Sequence, residues 1–132
     1  MYLLDTNICI YIINKHPKNV VEKLCSLNHQ DIKISSVTVA ELEYGASKSA
    51  RRDQNRNAVY KFLSPFEIIN FDTRDAEFYG IIRAELEYQG RLIGPYDIQL
   101  AAQAIARDLI FVTNNVDEFN RIPMIKLDNW IK

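Results

Sequence analysis

The 132-residue chain predicts an α/β fold built on a parallel sheet of about five strands. Two observations carry that reading. Short runs rich in β-branched and aromatic residues alternate with stretches of helical periodicity, the rhythm of βαβ units. The opening run Tyr2-Leu3-Leu4 is apolar and breaks abruptly at Asp5-Thr6-Asn7. In open α/β sheets ligands settle beyond the carboxyl ends of the strands, so such a break places a carboxylate at the mouth of a crevice.

The five strands expected are Tyr2–Leu4, Ile32–Ser35, Phe66–Phe71, Leu109–Thr113 and Met124–Leu127. A first helix follows Asp5-Thr6-Asn7, whose side-chain oxygens are suited to capping it, and carries Ile8, Tyr11 and Ile12 at helical spacing. Pro17 opens the next helix, with Val20, Val21, Leu24 and Leu27 as its apolar stripe. Ser36 to Leu63 reads as a helix or helical hairpin whose polar middle, Lys48 to Asn57, projects from the domain. A helix from Thr73 to Gln89 is expected to bury Phe78, Ile81, Ile82 and Leu86 and to stop at Gly90. Pro95 then starts a helix that carries Asp97 in its first turn and packs through Leu100, Ala101, Ala104 and Ile105.

The length suits one domain, residues 1–132, able to bury a core without staples. Hydrophobic and charged fractions of 48% and 25% are those of an ordinary globular protein rather than a disordered or fibrous one. Apolar stretches are broken by charge well short of the roughly 20 residues of a membrane span. Asp5 also interrupts the only apolar start, so no secretory signal is expected and the chain reads as cytoplasmic. The net charge of −1 leaves open whether a basic stripe faces an acidic pocket. Cys9 and Cys25 lack metal-type spacing and read as buried, reduced thiols. His16 and His29 lie in polar surroundings away from the acids and read as surface residues.

On this scaffold Asp5 follows the first strand, Glu41 lies early in the helix after the second, Asp97 opens its helix and Glu118 follows the fourth strand. Carboxylates gathered at one sheet edge cannot all ionise cheaply without a cation. An all-oxygen donor set suits Mg²⁺, with Mn²⁺ as the alternative, better than Zn²⁺. Such an ion lowers the pKa of water and neutralises phosphate charge, the chemistry of phosphodiester hydrolysis. Asp5 and Asp97 are the foremost candidate metal ligands. Thr6, Asn7, Thr113, Asn114 and Asn115 flank the acids as candidate orienting groups.

Leu3-Leu4-Asp5-Thr6-Asn7, Val39-Ala40-Glu41-Leu42, Gly94-Pro95-Tyr96-Asp97 and Val112-Thr113-Asn114-Asn115 with Glu118-Phe119 resemble, in order and spacing, the motifs of PIN-domain ribonucleases. The similarity is greatest to the VapC toxins of bacterial toxin–antitoxin pairs and extends to the terminal Asp128-Asn129-Trp130. It implies a PIN-like three-layer α/β/α sandwich and a Mg²⁺-dependent endoribonuclease. Within that family the chain is similar to the subgroup that cuts initiator tRNA in the anticodon stem-loop. The resemblance further implies neutralisation by a VapB-type antitoxin, contact with promoter DNA only through that complex, and a homodimer. The family's acids fall on Asp5, Glu41, Asp97 and a fourth. Many PIN domains place that fourth acid where this chain has Asn115, so Glu118 completes the set, with Asp117 as the fallback.

Each acid also has a structural reading. Thr38-Val39-Ala40-Glu41 matches a capping box, and Asp97 is a first-turn acid favoured by the helix dipole. Lys48, Arg51, Arg52 and Arg56, with Arg83 and Arg91, form a candidate track for an RNA backbone, or else a solvated face. Tyr11, Tyr44, Tyr60 and Phe62 read as core aromatics, with an antitoxin groove as the alternative. A non-enzymatic RNA-binding PIN module is the competing function. A dehalogenase-type phosphatase would need Asp-x-Asp where the chain has Asp5-Thr6-Asn7, and a receiver domain paired acids there.

Overall fold

The computed structural model describes residues 1–131. Five parallel strands form one sheet in the order β3-β2-β1-β4-β5: β1 (Tyr2–Leu4), β2 (Ile32–Ser35), β3 (Glu67–Ile69), β4 (Ile110–Val112) and β5 (Lys126–Asp128). The chain therefore builds outward from β1 through β2 to β3, then crosses back to place β4 on the other side of β1. That reversal opens a crevice between the carboxyl ends of β1 and β4. Pairing of Leu4 with Val112 continues through the Asp5 amide, which donates to the Val112 carbonyl at 2.9 Å. The residues just past the two strands, Asp5 and Thr113, are thus set side by side.

Among the described residues seven α-helices cover the sheet: α1 (Thr6–Ile13), α2 (Lys18–Cys25), α3 (Ser36–Ser47), α4 (Arg52–Leu63), α5 (Thr73–Tyr88), α6 (Pro95–Ala106) and the single turn α7 (Val116–Phe119). The period-2 alternation of the strands sorts side chains into two cores. Leu4, Ile32, Ile34 and Val112 pack with Ile8, Val20, Leu24, Leu42 and Val59 of α1 to α4. Their strand neighbours Leu3 and Phe111 pack with Ile82 and Leu86 of α5, with Ile98 and Leu100 of α6, and with Phe119. The result is the expected α/β/α sandwich. Ala101, Ala102 and Ala104 are fully buried, and their small side chains let α6 pack closely against its neighbours.

The 36–63 segment is a hairpin of two helices broken at 48–51, exposed through Asn57 and anchored by Val59, Phe62 and Leu63. Strand β3 is shorter than expected because Asn70 and Phe71 already lead into the cap of α5. There Asp72 and Asp75 form a reciprocal capping box, with Arg107 of the α6 terminus bonded to both. Two packing expectations fail for one reason. A residue adjacent to a buried helical position is turned about 100° away from it. Ile81 is accordingly 68% exposed beside buried Ile82, and Cys25 is exposed beside buried Leu24. Tyr44 and Tyr60, expected in the core, are 66% and 51% exposed, whereas Tyr11 and Phe62 are half-buried. Cys9 is buried, and burial, with the nearby charge of Asp5, pushes its thiol pKa up so that it stays neutral. His16 and His29 are exposed. Among the described residues no helix is long and apolar enough to cross a membrane.

Candidate active site

Asp5 occupies the N-cap position of α1 in extended backbone (φ −61, ψ 150), yet its carboxylate makes no cap hydrogen bond. It turns instead toward β4 and accepts the Thr113 hydroxyl at 2.7 Å. The Thr113 oxygen in turn accepts the Asn115 amide at 3.0 Å, which fixes the direction of its proton. Asp5 is only 5% exposed. Burial raises its pKa most, the Thr113 bond and the amides of Asn7 and Thr6 oppose that, and the charge of Glu41 adds to it.

Glu41 is held from α1. Thr6 donates its hydroxyl to Oε1 of Glu41 at 2.8 Å and lies 2.9 Å from the hydroxyl of Thr38. A hydroxyl has one proton, so with Thr6 donating to Glu41 the chain runs Thr38 to Thr6 to Glu41. The capping-box reading of Thr38 and Glu41 is therefore wrong. Ser35 caps α3 by accepting the Val37 amide, and Thr38, fully buried inside the first turns, serves as the support of Thr6. Sequence reasoning missed Thr38 as a site residue. Its one visible signal was a polar side chain on the buried face of α3.

Asp97 enters in the first turn of α6, after Gly94 at the N-cap and Pro95. Among the described residues it has no hydrogen-bond donor and no ion-pair partner. Its pKa is raised to about 6, first by burial and then by the charges of Asp5, Glu118 and Glu41. The charges of the other three acids are thus all felt at Asp97. The Asn115 side-chain amide donates to Glu118. Asp117, next to it on the single-turn helix, is exposed and does not contribute to the rise at Asp97. None of the four is ion-paired to an arginine or lysine among the described residues. An oxygen-only cluster held by neutral donors, with one member left without any, fits a hard divalent cation. No three acidic, histidine or cysteine side chains among the described residues already stand at ligand separation from a common point.

Two recesses flank the acids. One, of about 800 Å³, is lined by Thr6, Asn7, Glu41, Tyr44, Lys48 and Tyr96 among others. A smaller polar one, of about 260 Å³, is lined by Asp5, Asn7, Tyr11, Asn114 and Asn115. Asn7, exposed, belongs to both. Of the basic candidates, Lys48 sits at the larger recess. Arg51 and Arg52 are exposed at the start of α4. Arg56 is engaged with Glu43 at 3.3 Å and Arg83 with Glu87 at 3.1 Å, while Arg91 is exposed just after α5.

A parallel α/β sheet with Asp5 and Thr113 side by side at its switch point, and Glu41 and Glu118 acting electrostatically on Asp97, defines the class of domain, and the profile of the PIN domain matches residues 2–124. The chain belongs to the PIN-domain family. Within it the relatives are VapC proteins. A protein named ribonuclease VapC2 from Rickettsia felis is 47% identical over 133 aligned positions, covering 100% of this chain and 99% of that one. A tRNA(fMet)-specific endonuclease VapC from Salmonella typhimurium is 43% identical, covering 98% and 97%. A crystal structure of VapBC2 from Rickettsia felis bound to a promoter DNA fragment superposes with a TM-score of 0.91 at 47% identity, covering 98% of each chain. This chain is a member of the VapC family of PIN domains.

Proposed function

We propose that the chain, acting as a single cytoplasmic PIN domain, is the toxin of a VapBC-type pair, a Mg²⁺-dependent endoribonuclease whose substrate is initiator tRNA cut in the anticodon stem-loop. The activity is supported by the charges of Asp5, Glu41 and Glu118 all acting on Asp97, with neutral hydroxyl and amide donors holding the first three. Asp5 and Asp97 are the principal ligands for Mg²⁺, or Mn²⁺ in its place, with Glu41 and Glu118 completing the set. When bound, the ion supplies charge neutralisation at the phosphate and water of lowered pKa. Thr113 and Thr6 hold the carboxylates of Asp5 and Glu41 in fixed orientation, and Asn115 does the same for Glu118. No side-chain nucleophile is needed. Thr6 and Thr113 are 7% and 0% exposed, and the Cys9 thiol is buried and neutral.

The initiator-tRNA assignment rests on the 43% identity to a relative named for that substrate. The antitoxin fits the apolar groove between α1, α3 and α4, lined by Ile10, Ile13, Leu42, Ala46 and Val59. An amphipathic helix laid there, as in helix-in-groove recognition, lies next to Glu41, which also lines the groove, and a basic side chain of that helix would reach the acids. Promoter DNA is engaged through that complex, and the toxin itself pairs as a homodimer.

The test is cleavage of initiator tRNA by purified protein with Mg²⁺ and with EDTA. Cleavage confined to the Mg²⁺ reaction is expected. Binding without cleavage in both would favour the RNA-binding module instead. The exposed pair Arg51 and Arg52 gives a second expectation. Replacing both by alanine should weaken RNA binding and flatten the slope of log affinity against log salt by roughly 1 to 2. An unchanged slope would remove them from the RNA track.

A further inference from the structure

The larger recess beside the acids carries two exposed aromatic rings that neither core uses. Tyr44 of α3 and Tyr96 of α6 are 66% and 59% exposed, and both face that space. Tyr44 stands one turn beyond Glu41 on the same helix, and Tyr96 immediately precedes Asp97. Each ring is therefore fixed to backbone that also carries a member of the acid cluster. The Lys48 ammonium lies 4.8 Å from the Tyr44 ring centroid and has no acidic partner among the described residues. A positive charge, two π faces and a wall that includes Glu41 thus occupy one cleft of about 800 Å³.

We propose that Tyr44 and Tyr96 form a stacking platform for unpaired RNA bases next to the scissile phosphate, with Lys48 facing the backbone between them. The protein thereby selects single-stranded over paired RNA at the cut. This rests on the nuclease reading and specifies the substrate conformation for it. A base offers a flat π face and polar edges, which suits a largely apolar cleft whose polar groups include the tyrosine hydroxyls, Lys48 and Gln99. An aliphatic protein helix has its own match in the adjoining groove of Ile13, Leu42 and Val59, which carries no aromatic ring and shares Ile10 with the cleft. Bases in a duplex are already stacked on each other and their faces are closed to side chains, so the platform discriminates by strandedness rather than by sequence.

The experiment measures binding of a fluorescent hairpin RNA with an unpaired loop, and of a blunt RNA duplex of equal length, in EDTA so that nothing is cut. The proteins are wild type and Tyr44→Ala, Tyr44→Leu, Tyr44→Phe and the same three changes at Tyr96. The alanine and leucine variants are expected to lose roughly fivefold to a hundredfold in hairpin affinity. The phenylalanine variants should stay within about twofold, and duplex binding should be unchanged throughout. Because leucine and phenylalanine both preserve bulk, their comparison stands even if an alanine variant folds poorly. Leucine matching phenylalanine would overturn the proposal, as would equal losses on hairpin and duplex. Unchanged hairpin affinity with weakened binding of an amphipathic antitoxin helix would assign the cleft to a protein partner and overturn it too. Wild-type cleavage with Mg²⁺, run in parallel, tests the nuclease reading separately. Cleavage with unaffected variants sinks only the stacking platform.

Discussion

Asp5→Asn is expected to lower RNA cleavage by roughly a thousandfold or more, about 4 kcal/mol of transition-state stabilisation, while leaving the fold as stable as before or slightly more so. The substitution keeps volume, and the amide oxygen still accepts the Thr113 hydroxyl that now reaches the carboxylate at 2.7 Å. What it removes is charge. Burial and Glu41 both disfavour that charge in the metal-free fold, so its loss relieves rather than injures the resting structure. For the reaction the balance reverses, because a hard cation bound by oxygen depends on ligand charge. The measurement pairs cleavage of initiator tRNA with a thermal melt of the same sample. Full activity in a folded Asp5→Asn protein would refute the place of Asp5 in the site, and a collapsed melt would refute the account of its burial.

The sheet was legible because its strands are short apolar runs ended by polar residues, and Asp5 was legible because a carboxylate closes the first of them. Asp97 was marked by Pro95, which sets the start of α6. The support of Glu41 was not legible. Its partners Thr6 and Thr38 lie on two helices that only the β1–β2 pairing brings together, and a first-turn threonine three residues before a glutamate looks locally like a cap. The actual capping box, Asp72 with Asp75, joins two acids and so lacks the usual Ser/Thr-x-x-Glu signature. Asp117 and Glu118 are adjacent on a single-turn helix, where one position differs from the next by about 100° in direction. Composition cannot say which of them faces Asp97. The aromatic cleft was hidden for the same reason as the helix-face errors at Ile81 and Cys25. Tyr44 and Tyr96 come from helices far apart in the sequence; Tyr44 reads as core material there, and the packing leaves both outside.

Metal-free protein is expected to lose stability as pH rises from about 4 to 7, the reverse of the usual behaviour of a folded carboxylate. Asp97 has its pKa raised from 3.8 to about 6 in the fold. Between those values the folded state holds more protons than the unfolded state, and stability must then fall with increasing pH. Asp5, raised in the same direction, adds to the effect. Because Asp97 is only half-buried, solvent screening reduces the full linkage to about 1 to 2 kcal/mol. Two consequences distinguish this from ordinary acid titration. Asp97→Asn should flatten the pH dependence and stabilise the metal-free protein at pH 7 by that amount, while cleavage falls. Mg²⁺ should stabilise the wild type by about 2.7 kcal/mol at a hundred times its dissociation constant, and the variant much less. Denaturant melts at pH 5 and 7.5, with and without Mg²⁺, measure all of these quantities. A wild type equally stable at both pH values in EDTA would mean that burial and the neighbouring carboxylates together do not raise Asp97 in the fold. The case for a cation among them would then lose its electrostatic basis.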